Sequence, residues 1–144
     1  MKSTNLIACC LICLASGSVH AAPFDGRWTI DLRTPAQVRA KAECGSAIFV
    51  LEQDGQRVTG DHQMATAGCG RLNEGGQGSV QGVAHGNSAE LTVTSGRNGE
   101  VVRGRATRVG SSLRWRVLEQ VRPGEPEGDS WLILWRGTLQ QERP

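Results

Sequence analysis

From position 24 onward the chain is written in short runs of alternating apolar and polar residues, each closed by Gly, Asn, Asp or Pro. Residues 24–32 put Phe24, Trp28 and Ile30 on one face, the pattern of a half-buried strand. Thr34-Pro35 followed by helix formers up to Glu43 predicts one short helical segment, with a capping residue and a proline at the first helical position. Ile48-Phe49-Val50-Leu51-Glu52-Gln53, then Asp54-Gly55, then Gln56-Arg57-Val58-Thr59-Gly60 predicts a hairpin with strands near 46–53 and 57–65. A glycine-rich loop spans 66–78. Strands at 79–85 and 88–94 flank Gly86-Asn87, and strands at 100–108 and 112–119 flank a turn at Gly110. A Pro/Gly loop at 121–129 leads to a last strand at 130–139. The fold class is all-β: eight antiparallel strands, with one short helical segment after the first. Short turns make consecutive strands neighbours, and such a meander closes most simply into an up-and-down barrel. A two-sheet sandwich is the alternative.

The faces carry more information. Around Gly110 the pairing puts Arg103, Arg105, Arg114 and Arg116 on one outward face and Val102, Ala106, Leu113 and Trp115 inward. This basic patch is either a solvated face or a surface for an acidic partner. Inward positions also hold Gly60, Gly82, Gly104, Ala84 and Ala106. Small inward residues can leave room for a ligand, whereas the tryptophans can fill it. The run Trp131-Leu132-Ile133-Leu134-Trp135 is apolar on both faces of the expected strand. Parity sends Leu132 and Leu134 outward, to be covered by a second copy of the chain or by the 34–43 segment.

Composition sets the compartment. Lys2, the apolar run 6–15 and the small-residue ending Val19-His20-Ala21 form a Sec-type leader over 1–21, leaving one domain at 22–144. Leu6-Ile7-Ala8-Cys9 resembles a lipobox but has no apolar region before it. The leader's apolar run is too short to span a bilayer. Cys9, Cys10 and Cys13 leave with it, so Cys44 and Cys69 remain and lie nearly opposite each other at the hairpin's open end. One disulfide in an exported chain fits a periplasmic or secreted protein. The formal net charge of +2 is no nucleic-acid signature, and no aromatic side chain shares the outward face of Arg103, Arg105, Arg114 and Arg116.

Catalytic chemistry has few candidates. After processing, His62 and His85 are the remaining histidines, and neither lies in a Ser/Asp or Cys context. Beyond the expected leader, which holds Cys10-x-x-Cys13, no Cys-x-x-Cys or His-Glu-x-x-His spacing occurs, so no metal or cofactor is expected. His62 faces inward, where a structural role is expected.

Gly26-x-Trp28 opening the first strand, together with the size and strand count, resembles the lipocalin-like and avidin-like (calycin) barrels. In those families an Arg late in the chain packs over that Trp, a part the resemblance gives to Arg136. Phe49-x-Leu51, Asp54-Gly55 and Val58-Thr59-Gly60 resemble the avidin second and third strands, and the glycine-rich loop its mobile lid. Trp115 and Trp131 stand where that family stacks biotin. Its polar biotin contacts are replaced by Ile30, His62 and Met64, so the resemblance implies the barrel and not biotin. Two functions follow. One is a non-catalytic module holding a small apolar ligand among Trp28, His62, Met64, Trp115 and Trp131. The other is a periplasmic interaction protein, of the inhibitor or immunity type, working through the arginine face or the loops.

Overall fold

A computed structural model describes residues 23–143. The expected leader, with Cys9, Cys10 and Cys13, lies outside the described residues. The strands are β1 (Gly26–Asp31), β2 (Cys44–Asp54), β3 (Arg57–Ala67), the two-residue β4 (Leu72–Asn73), β5 (Val80–His85), β6 (Ser88–Thr94), β7 (Val101–Val109), β8 (Ser112–Arg122) and β9 (Arg136–Gln141). One helical turn, α1 (Pro35–Arg39), follows β1, capped by Thr34 with the reciprocal Gln37 contact. All pairings are antiparallel. The strand order is β2-β1-β9-β8-β7-β6-β5-β3, and β2 also pairs β3, which closes the sheet into an eight-stranded up-and-down barrel. β4 is a small addition on β3. Closure leaves the eight strands without the two free edges that an open sheet would expose. No helix among the described residues is long and apolar enough to cross a membrane.

The hairpin turns at Asp54-Gly55, with Asp54 opposite Arg57 and Phe49 opposite His62. Gly55 holds φ at 58°, a left-handed value that glycine adopts without a Cβ penalty. At the open end Cys44 and Cys69 form a disulfide across a sequence separation of 25. It is consistent with a periplasmic or extracellular location.

The interior is packed by the expected faces: Trp28, Phe49, Leu51, Val58, Val80, Leu91, Val93, Val102, Leu113 and Leu139 are fully buried. The inward glycines leave no gap, because each faces a large side chain on the neighbouring strand. Gly60 is opposite Leu51, and Leu91 lies between Gly82 and Gly104. A Cβ on Gly82 would meet a Leu91 methyl at 2.8 Å, and one on Gly104 would run into the Trp115 ring edge. Small residues beside large ones interdigitate into a core of native density.

One end of the barrel is closed by Phe24 and Trp28, whose indole Nε1–H donates to the Phe24 carbonyl at 3.0 Å. The cation over this indole is not Arg136. The Arg108 guanidinium of β7 stacks 4.5 Å from the Trp28 ring, while Arg136 is exposed on the outer face. Arg108 reaches the ring because it lies near the end of β7, at the closed end of the barrel, whereas Arg136 begins β9 at the opposite end.

The largest departure from the sequence reading is the last strand. β9 begins at Arg136, and residues 130–135 form no strand. Leu132 sits in the left-handed region with φ 48°, which breaks the alternation that the strand reading assumed. The segment crosses the open mouth as a strap. Leu132, Ile133 and Leu134 are all buried, and Trp135 is 55% exposed. The outward Leu132/Leu134 pair is therefore corrected: both side chains are buried within the chain itself, Leu134 in the core cluster, and neither is presented to a second copy. Helix α1 does not cover them, since none of its residues is buried.

Candidate functional site

Two places on the molecule gather chemistry. The first is the mouth under the strap. Four inward side chains each bond a backbone group of that segment. Trp115 Nε1–H donates to the Leu134 carbonyl at 2.6 Å. Asn73 Nδ2–H donates to the Leu132 carbonyl at 3.0 Å, and Ser95 Oγ–H to the Trp131 carbonyl at 2.7 Å. The Leu134 N–H donates to His62 Nε2 at 3.1 Å. His62 is fully buried and stacked on Phe49, with ring centroids 4.3 Å apart. Its Nδ1 lies 2.8 Å from the Ile48 carbonyl, an acceptor only, so Nδ1 carries the proton and Nε2 is left to accept. Burial pulls the imidazole pKa from 6.5 down to about 4, against the opposing bond to Ile48 and the charge of Asp61. His62 is a neutral structural residue whose two nitrogens are both engaged.

The five residues expected to hold a ligand are placed as follows. Trp28 closes one end, and Trp115 and His62 lie beneath the strap at the other. Met64 packs partly buried against the core. Trp131 belongs to the strap itself, edge-on to Trp135 at 5.5 Å between centroids. Trp28 and Trp115 thus serve opposite ends of one packed interior, and Leu134 lies against Gly137, 3.4 Å from where its Cβ would stand. Open surface clefts lie outside. One of about 390 Å³ is bordered by Val50, Glu52, Arg57, Asp61 and Gln81, all off the core.

Asn73 and Ser95 had no signal in the sequence, because each reads as an ordinary loop or turn polar residue. Asn73 is buried and uses both ends of its amide: Oδ1 accepts the N–H groups of Gly75 and Gly96, each at 3.0 Å, while Nδ2–H holds Leu132.

The second place is the outer face of β7, β8 and β9. The register puts Glu90, Arg105, Arg116 and Arg136 directly across from one another on four adjacent strands. Arg114 lies on the same face between Thr107 and Thr138. Arg105 pairs with Glu90 and Arg103 with Glu119, each at 3.0 Å. Among the described residues Arg114, Arg116 and Arg136 have no carboxylate at ion-pair distance. The expected basic patch is thus narrowed on one side by ion pairs and extended on the other by Arg136. Arg116 faces a like charge on both sides, an arrangement that weakens a sheet unless an anion balances it. Trp135 precedes Arg136 at the rim. Irregular pairing in β8 gives Leu118 no opposite residue on β7 and leaves it 42% exposed.

His85 is exposed, and no group of three His, Cys, Asp or Glu among the described residues is arranged to hold a metal ion. The closed eight-stranded meander is compatible with a calycin-like fold. Comparison with known protein families, curated proteins and solved structures finds no match to this chain.

Proposed function

We propose that this protein is an exported, non-catalytic interaction module that works through the outside of its barrel. The face formed by Arg114, Arg116, Arg136 and Trp135 docks an acidic protein partner. The observation that carries this reading is the strap. The mouth through which an interior ligand would enter is occupied by the chain's own Leu132, Ile133 and Leu134, and the polar groups beneath are already bonded to that segment. An apolar ligand would have to displace three buried side chains, each worth about 1.5–3 kcal/mol. The outer face, by contrast, offers unpaired arginines beside an exposed tryptophan, the residue types that dominate protein interfaces.

Native mass spectrometry of the protein purified from the cells that make it tests this. An acidic protein retained by the wild type and lost from a folded Arg116→Glu/Arg136→Glu variant is the expected result. A retained small apolar molecule would restore the interior as the binding site.

A further inference from the structure

We propose that the strap 130–135 is an acid-sensitive latch: protonation of His62 at Nε2 lets the strap open from the mouth while the eight strands stay paired. This rests on the mouth alone and does not depend on the partner proposed above.

Three observations carry it. His62 Nε2 accepts the Leu134 N–H at 3.1 Å, and Nδ1–H is committed to the Ile48 carbonyl. A proton taken from water at Nε2 turns that acceptor into a donor aimed at another donor. No rotation of the ring recovers the bond, because both nitrogens of an imidazolium donate. Second, the strap is not part of the sheet. Its carbonyls are held by the Asn73, Ser95 and Trp115 side chains and by the Val117 N–H, which donates to the Trp135 carbonyl at 2.8 Å. It can therefore open without breaking the pairing between strands, as the least stable units of a fold do. Third, Leu132 holds a φ of 48°, a conformation that a non-glycine residue keeps only while its surroundings enforce it.

The groups facing His62 are few. From β2 it meets the Phe49 ring and the Ile48 carbonyl, and from the strap the Leu134 amide. On its own strand Asp61 is the charged neighbour. Its carboxylate accepts from Gln63, Gly76 and Ser79, and its charge favours the imidazolium. Burial is the stronger influence and holds the closed-state pKa near 4. An open strap admits water and returns the imidazole toward its ordinary pKa of about 6.5. The open form then binds the proton better, so the open-to-closed ratio rises on the order of a hundredfold between pH 7 and pH 4.

Native-state hydrogen exchange on the intact protein at pH 7, 5.5 and 4, corrected for intrinsic rates, reads this directly. The Leu134 and Val117 amides are expected to lose protection by about a hundredfold and to stay less protected at each pH than core-strand amides such as those of Leu91 and Ala106, which exchange only when the barrel itself unfolds. His62→Gln keeps an acceptor and a donor without titrating, and should abolish the pH dependence. Strap amides protected as strongly as core amides at every pH, and so exchanging only by global unfolding, would overturn the latch, as would strap protection that does not change with pH. A loss that persists in His62→Gln would overturn the assignment to His62. Should that variant not fold, the wild-type comparison decides alone.

Discussion

His62 and Gly104 show how much a single position carries. His62 is neutral in the fold, with a pKa near 4, and ordinary in the unfolded chain. Below pH 6.5 the unfolded chain takes up a proton that the native state refuses. The associated stability is thus complete above about 6.5 and is lost as pH falls toward 4, on the order of 3 kcal/mol in all. Urea midpoints across that range should show the loss in the wild type and a flatter profile in His62→Gln. At Gly104 the missing side chain is the space the Trp115 ring edge occupies, with the Arg116 carbonyl 2.6 Å from a Cβ. Gly104→Ala has nowhere to relax, and should cost roughly 1–3 kcal/mol by overpacking. An unchanged melting temperature would show that the indole can move aside.

At the scale of elements, the strap and the loops that pin it behave as a unit. Asn73 ties the β4 turn, the turn after β6 and the strap together through one amide. Asn73→Ala would leave the Leu132 carbonyl and two glycine N–H groups without a protein partner, at a cost of at least about 2 kcal/mol. Asn73→Asp retains the two acceptor bonds but loses the donor, and should fall between the variant and the wild type in thermal melts. Leu132→Lys with Leu134→Lys separates the strap from the strand reading. Outward leucines would yield a folded protein with an altered oligomeric state. Buried leucines, as found here, yield a protein that does not fold, because the two ammonium groups would have to be buried unpaired. Circular dichroism and sedimentation of the double variant distinguish the two.

Across the whole molecule, closure is by main-chain ladders, and the disulfide is an addition to them. The Cys44–Cys69 bond ties the end of one hairpin and lies away from the β1–β9 pairing. Reduction should therefore lower stability by about 3 kcal/mol, the entropic value for a loop of this length, and leave far-UV dichroism unchanged at room temperature. Loss of the β signal on reduction alone would show that the bond is needed for closure. On the outer face of β7, β8 and β9, Arg114, Arg116 and Arg136 have no carboxylate at ion-pair distance among the described residues.

The alternation of residues, the Asp-Gly, Gly-Asn and Gly110 turns and the two cysteines beyond the expected leader located the long strands through β8, their inward and outward faces and the disulfide, and favoured the barrel over the sandwich, while the short β4 was read as part of the 66–78 loop. These are consequences of local period and turn chemistry, and both are written along the chain. The fate of 130–135 was decided only by the tertiary structure. Five consecutive large apolar residues satisfy a strand, a core plug or an interface equally well. What selected the plug is an open mouth lined by His62, Asn73, Ser95 and Trp115, which come from four distant parts of the chain and bond its backbone in place of a neighbouring strand. The same holds for the Arg108–Trp28 contact and for the filled space above each inward glycine. Residues that share a face can be read from the sequence, but which of them meet across a closed barrel depends on closure itself.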